Sequence, residues 1–337
     1  MRVSLRKSLA VLCIGLTAVL GLGVSESSRA ETSTAANKPA DKIVLGLGIG
    51  TEASDLIIAV KNGFFKNNGI DATIRHFANG NDAMDTILTG NIDIADATEP
   101  GALMRRAKGG AIYIAGMGPR SGDNNSFIAT SDIKQPKDLE GKAVGVPKGS
   151  SANYFFVNYL KRFNLDASKI KHVNGDPPDL LAALNRGDIA GMFIWDPWPR
   201  KAADTISNVR VVQKSGENDV YFAQQYYYVS QRLVDNKELG ERVMRSIVDA
   251  NKWVKTHMDE TAKIVAAEIR QPEDQVRTLL GAWSWGSVTF TPQTRTNVAG
   301  AAAFLKDENL ITTAPDLSTY LRPEMLKAVD PAAVTID

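Results

Sequence analysis

The stretch GVPKGSSANYFFVNYLKRF, residues 145–163, reads as the end of a strand, a glycine turn and the first turns of a helix. A helix start leaves its first N–H groups without intrahelical partners and carries partial positive charge. The turn at Lys148-Gly149-Ser150 is therefore read as a cradle for an anion, or for an anionic or strongly polar group of a small molecule.

The same order of elements occurs about a hundred residues earlier. Ile43 to Ser54 (IVLGLGIGTEAS) is followed by a helix over 55–67, a strand over 72–77, Asn79-Gly80, a short helix, and Gly90-Asn-Ile-Asp-Ile-Ala95. The later unit runs from a strand over 142–147 through the helix ending at Phe163 to a strand over 169–173. Asn174-Gly175, a short helix over 179–185 and Gly187-Asp-Ile-Ala190 complete it. Glu99-Pro100 and Asp196-Pro197 close the two units; Gly90 and Gly187, like Pro100 and Pro197, are 97 apart. Strands alternating with helices predict an α/β fold with mostly parallel sheets, in which ligands settle beside helix N-termini at the C-terminal ends of strands. Two such units predict two lobes with a cleft between them.

Outside the repeat the chain divides by composition. Arg2, Arg6 and Lys7 precede an apolar run from Leu9 to Val24 and a small-residue site ending at Ala30, so residues 1–30 are read as a secretory signal peptide. Residues 31–41 are read as a flexible leader. Cys13, the only cysteine, falls inside the signal, and the mature chain is expected to have no disulfide and no thiol nucleophile. Taking the four basic and one acidic residues of 1–30 from totals of 39 and 38 leaves 35 and 37, a net charge of −2. That balance points away from nucleic acid and anionic membranes. Near the other end, Leu239, Val243, Ile247, Ala250, Val254 and Met258 recur at helical spacing. Pro272 and Thr291-Pro292 open further helices, which are expected to pack back onto one lobe.

Catalytic motifs fail one by one. Gly46-Leu-Gly-Ile-Gly50 is G-x-G-x-G rather than a dinucleotide fingerprint, and Lys148-Gly149-Ser150 inverts the P-loop order. His76, His172 and His257 are scattered without metal-ligand spacing. No G-x-S-x-G elbow exists, and Ser131-Asp-Ile-Lys134 runs into Gln135-Pro136 where its helix would have to be. Trp195-Asp-Pro-Trp198, at the end of the apolar run Met192–Ile194, is more informative, since rings at a strand mouth can wall a pocket. Tyr226-Tyr-Tyr228 alternates faces on a strand and is read as core rather than as ligand contact.

DLEGKAVGVPKGSSANYFF (138–156) followed by PPDLLAALNRGDIAGMFIWDPW (177–198) resembles the periplasmic substrate-binding proteins of ABC importers in the nitrate/sulfonate/taurine, NMT1/THI5-like, family. AVKNGFFKNNGIDATI (59–74), GNIDIADATEPGAL (90–103) and VDANKWVKTH (248–257) fit the same group, so the resemblance covers residues 42 to about 290. It implies a type II periplasmic-binding-protein fold, with lobe I formed by residues 42–126 and 227–337, lobe II by 127–226, and crossings near 125–130 and 223–229. It further implies a periplasmic, monomeric, non-enzymatic protein without cofactor or metal. Such a protein closes on a small organic anion and docks on a membrane permease.

Carried over position by position, the resemblance places the pocket on Gly50, Thr51, Glu52, Thr98, Glu99, Ser150, Ser151, Asn153, Tyr154, Asp176, Trp195 and Asp196. Ser150 and Ser151 are expected to bond the ligand through their hydroxyls. Asn153 stands where sulfonate binders often carry histidine, and can donate through its amide. Glu99 and Asp196 resist a multiply charged anion and suit an amine or hydroxyl, while Trp195 suits an apolar body. The expected ligand is a sulfonate-like or carboxylate anion with a hydrophobic or amino end. The alternative is a pyrimidine or thiamine precursor, or a pyrimidine-synthase-like enzyme on the same fold; such enzymes rely on histidine and a cysteine-rich motif, and the mature chain has no cysteine.

Overall fold

The alternation of strands and helices resolves into two five-stranded sheets in the computed structural model, which describes residues 39–77 and 80–336. Residues 1–38, on which the signal-peptide reading and most of the leader reading fall, and Asn79 lie outside the described residues. One sheet holds β1 (Asp41–Leu47), β2 (Ile70–His76), β3 (Ile94–Ala97) and β4 (Ile112–Ser121). The other holds β5 (Asn125–Thr130), β6 (Ala143–Gly145), β7 (Lys171–Val173), β8 (Gly191–Trp195) and β9 (Val209–Lys214). The chain then returns to the first sheet with β10 (Ala223–Ser230).

The strand orders are β2-β1-β3-β10-β4 and β7-β6-β8-β5-β9. β1 runs parallel to β2 and β3 while β10 is antiparallel to β3 and β4; β6 runs parallel to β7 and β8 while β5 is antiparallel to β8 and β9. Each sheet thus takes, in fourth place, the strand that has just arrived from the other. The internal repeat is a repeat of architecture. The segments expected as crossings are themselves β5 and β10, so the chain changes sheet just upstream, between Ser121 and Asn125 and between Lys214 and Ala223.

The helices follow from their punctuation. Gly63, at φ 79°, breaks the helix expected over 55–67 into α1 (Ser54–Lys61) and α2 (Phe64–Asn67), because a positive φ is cheap only without a Cβ. α3 (Gly80–Leu88) and α4 (Glu99–Ala107) complete the first unit; α5 (Ser151–Arg162), α6 (Pro177–Arg186) and α7 (Trp198–Thr205) belong to the second. After β10 come α8 (Gln231–Asp235), α9 (Lys237–Thr256) and α10 (Met258–Ile269). Then follow α11 (Glu273–Leu280), α12 (Pro292–Asp307), α13 (Leu317–Tyr320) and α14 (Glu324–Val329). The apolar stripe Leu239, Val243, Ile247, Ala250 and Val254 is buried along α9, whereas Met258 opens α10 after the chain bends at His257. α9 packs on α1 and α2, α14 on α9 and α12 on α4, so the helical tail lies against helices of the first unit.

Tyr226, Tyr227 and Tyr228 are at most 1% exposed and confirm the core reading, each with its hydroxyl engaged. Tyr226 donates to Glu99 Oε1 at 3.0 Å, Tyr227 to Asp55, and Tyr228 to the Thr98 carbonyl at 3.3 Å. Asn251 of α9 also donates to Asp55, at 2.6 Å, tying the tail to α1 through a fully buried carboxylate. That burial pushes the Asp55 carboxyl up to about 6 despite its hydrogen bonds.

Candidate functional site

Two helix starts, one from each sheet, line the same cavity. Thr98 precedes α4 with a hydroxyl that makes no capping bond, and Gly101 lies in the first turn of that helix. Ser150 and Ser151 begin α5 on the opposite wall, with Asn124 and Trp195 beside them. The remaining lining includes Gly48, Glu52, Gly80, Asp96, Ala97 and Gln225, and the enclosed space is about 80 Å³, suited to a compact solute.

The two serines do different work. Ser150 Oγ donates to the Pro147 carbonyl at 2.6 Å and accepts from the Asn153 N–H at 3.3 Å, so this hydroxyl is spent on capping α5. Ser151 Oγ accepts from Asn125 Nδ2 at 3.1 Å, and Asn125 Oδ1 in turn accepts from Asn124 Nδ2 at 3.2 Å. With its oxygen so engaged, Ser151 keeps its hydrogen for another acceptor. The N–H groups of Ser151 and Ala152, at the first two helical positions, stand outside the helical ladder and add partial positive charge.

The first loop contributes an acid rather than a backbone nest. Glu52 folds back over its own turn: Cβ atoms at Gly48 and Gly50 would both strike its carboxylate, so Gly50 makes room for that side chain. Thr51 is buried and its carbonyl accepts from Ser54 Oγ at 2.7 Å, holding the turn. Loss of water pushes the Glu52 carboxyl up to about 7; its own backbone pulls it down, and the Asp196 charge raises it further. His76, at the end of β2, points a ring nitrogen at the Gly48 carbonyl at 3.3 Å, and His172, at the corresponding place in β7, does the same to the Val146 carbonyl at 2.8 Å. In both units a histidine pins the loop after the first strand.

The expected residues therefore separate. Glu52, Thr98, Ser150, Ser151 and Trp195 meet at one cavity. Glu99 and Tyr154 line a second cavity of about 510 Å³ behind it, where Tyr154 stacks on Phe304 at 4.5 Å and burial pushes the Glu99 carboxyl up to about 7. Asn153 is fully buried; its Oδ1 accepts from the Gly149 N–H at 3.1 Å, which leaves Nδ2 without a protein partner. Asp196 lies on a third hollow with Arg200 and Lys214, its carboxyl raised to about 6 by burial against their lowering effect. Asp176 is exposed at the start of α6; the Asp82 carboxyl is raised first by burial and then by the Asp176 charge.

Sequence reasoning missed Asp96 and Gln225. Both are 4% exposed and line the main cavity, yet neither Asp96 oxygen nor Gln225 Oε1 has a hydrogen-bond partner. Burial, followed by the charges of Glu52 and Asp55, holds the Asp96 carboxyl well above its ordinary range. Among the described lining residues there is no lysine, arginine, histidine or cysteine.

The NMT1/THI5-like family model matches residues 51–261, well over half of the chain. The chain belongs to that family. It is 26% identical over 136 residues to the taurine-binding periplasmic protein of Escherichia coli, a match that spans 40% of this chain and 42% of that relative. The crystal structure of the periplasmic aliphatic sulphonate binding protein SsuA from Escherichia coli superimposes with a TM-score of 0.72 at 17% identity, covering 83% of this chain and 97% of that one. The periplasmic nitrate-binding protein NrtA from Synechocystis PCC 6803 follows at 0.68 and 13%, covering 87% and 89%. At these identities the likeness shows the fold, and the fold is the two-lobed type II arrangement of periplasmic binding proteins.

Proposed function

We propose that this protein is an extracytoplasmic solute-binding protein that captures a small organic anion, sulfonate-like or carboxylate, and delivers it to the membrane permease of an ABC importer. The observation that carries this reading is the convergence of the α4 and α5 starts, from separate sheets, on one small cavity. Each start presents unpaired N–H groups, and the hydroxyls of Thr98 and Ser151 add donors beside them. Closure of a lobe comprising 127–226 onto one comprising 42–126 and 227–337 brings both starts to the same oxyanion. The mature chain after residue 30 works as a periplasmic monomer in this account, without cofactor.

Trp195 on the cavity wall favours a second reading, a pyrimidine-like compound stacked on its ring. Thermal shift of the purified protein against sulfonates, taurine, nitrate, bicarbonate, aromatic carboxylates and pyrimidines separates the two. A saturable rise with an aliphatic organic acid supports the first reading; a rise with pyrimidines alone overturns it.

A further inference from the structure

The cavity that presents helix starts to an anion also presents acceptors that nothing in the protein satisfies. Asp96, at 4% exposure, has two carboxylate oxygens without a partner, and Gln225, equally buried on the neighbouring strand, has a free amide oxygen. Glu52 lies on the same cavity, close enough for its charge to act on Asp96. A buried carboxylate without a hydrogen bond is costly, and native proteins pair such groups or give them a ligand. No lysine or arginine lines the cavity among the described residues, and no three His, Cys, Asp or Glu side chains among them converge to hold a metal ion. What is missing is an organic group rich in N–H donors and carrying positive charge.

We infer that Asp96, with Gln225 and Glu52 beside it, binds the ammonium group of an amino-bearing organic acid. The anionic end of the same molecule lies at the α4 and α5 starts, so the ligand is a zwitterion. This inference rests on the reading of the cavity as the capture site for an organic acid. It adds a selection rule, because a simple anion meets two carboxylates and no cation, whereas a zwitterion meets partners of both signs.

The test uses matched pairs that differ only in the amine, taurine against ethanesulfonate and β-alanine against propionate, with homologues one carbon longer, titrated calorimetrically into wild type and Asp96→Asn. An aminopyrimidine is titrated in parallel. The expected result is that the amino member of a pair binds wild type about tenfold tighter or better, and that Asp96→Asn removes the preference while melting no lower than wild type without ligand. Equal or tighter binding of the members without an amine, or a preference that survives in Asp96→Asn, overturns the ammonium site while leaving the capture of an organic acid intact. Binding of the aminopyrimidine alone, or of no organic acid at all, overturns that capture and the ammonium site with it.

Discussion

Gly216 donates its backbone N–H to the Gly122 carbonyl at 2.6 Å, so the two passages between the sheets lie directly against each other. A Cβ on Gly122 would meet Gly216 Cα at 3.0 Å, and one on Gly216 would meet Gly122 Cα at 2.7 Å. Only glycine permits this approach, and backbone cannot yield as a flexible side chain can. Ser215 reinforces it, donating from Oγ to the Gly122 carbonyl at 3.0 Å and from N–H to the Asn125 carbonyl at 2.9 Å.

Gly216→Ala is expected to pry the crossings apart. Stability should fall by about 1–3 kcal/mol, as in overpacked interiors, and ligand affinity should fall with it because the helix starts no longer meet. Denaturant unfolding and titration of the same variant check both. Unchanged affinity would separate the crossings from closure.

The two serines of α5 should behave differently. Ser150→Ala removes an N-cap and is expected to cost about 1 kcal/mol of folding stability. Ser151→Ala is expected to leave the melting temperature nearly unchanged and to weaken ligand binding by about 1–3 kcal/mol. A stability loss in the second variant equal to that in the first would assign both to structure.

Tyr227→Phe tests the buried Asp55. The substitution deletes one of two side-chain donors to that carboxylate and leaves Asn251 alone, which is expected to destabilise the fold by about 1–3 kcal/mol. Thermal unfolding near neutral pH should show the loss. It should shrink below about pH 5, where Asp55, raised to about 6 in the native protein, is protonated in either variant.

Stability without ligand should decline as pH rises. Glu52 and Glu99 are raised from 4.5 to about 7, and Asp55 and Asp196 from 3.8 to about 6. The native state therefore binds more protons than the unfolded chain between about pH 4 and 7. Their favourable contribution is present at the acid end of that window and is lost as pH climbs through the native values. Ligand affinity should run the other way. Ionised Glu52, Asp96 and Asp196 attract an ammonium group more strongly, and the other charges near them, Asp55, Asp123, Arg200 and Lys214, set the midpoint. Affinity that instead falls steadily from pH 5 to 8 would mark a plain anion site.

The repeat was legible because equivalent elements carry equivalent punctuation: Gly90 and Gly187 both end helix turns at positive φ, and Glu99-Pro100 opens α4 much as Asp196-Pro197 leads into α7. The start of α5 was legible for the same local reason. Asp96 was not, because in GNIDIADATEP it is one of two acidic residues three apart, one just before β3 and one within it, and only pairing shows the difference. Asp93 takes the Arg232 guanidinium at 2.9 Å, whereas Asp96 lies opposite Tyr227 and is left without a partner. Gln225 sits more than a hundred residues from its cavity neighbours Asp96 and Thr98, and no periodicity reports such a meeting. The distinct tasks of Ser150 and Ser151 depend on Asn125, which arrives from the hinge side on β5.

Capture by closure without chemistry has two direct readouts. Small-angle X-ray scattering of the purified protein, with and without the tightest ligand from the calorimetric panel, measures closure directly, and mass analysis of the recovered ligand measures turnover. The account predicts a smaller radius of gyration on saturation and a ligand returned unchanged; a radius that does not move, or a ligand returned as product, would contradict it.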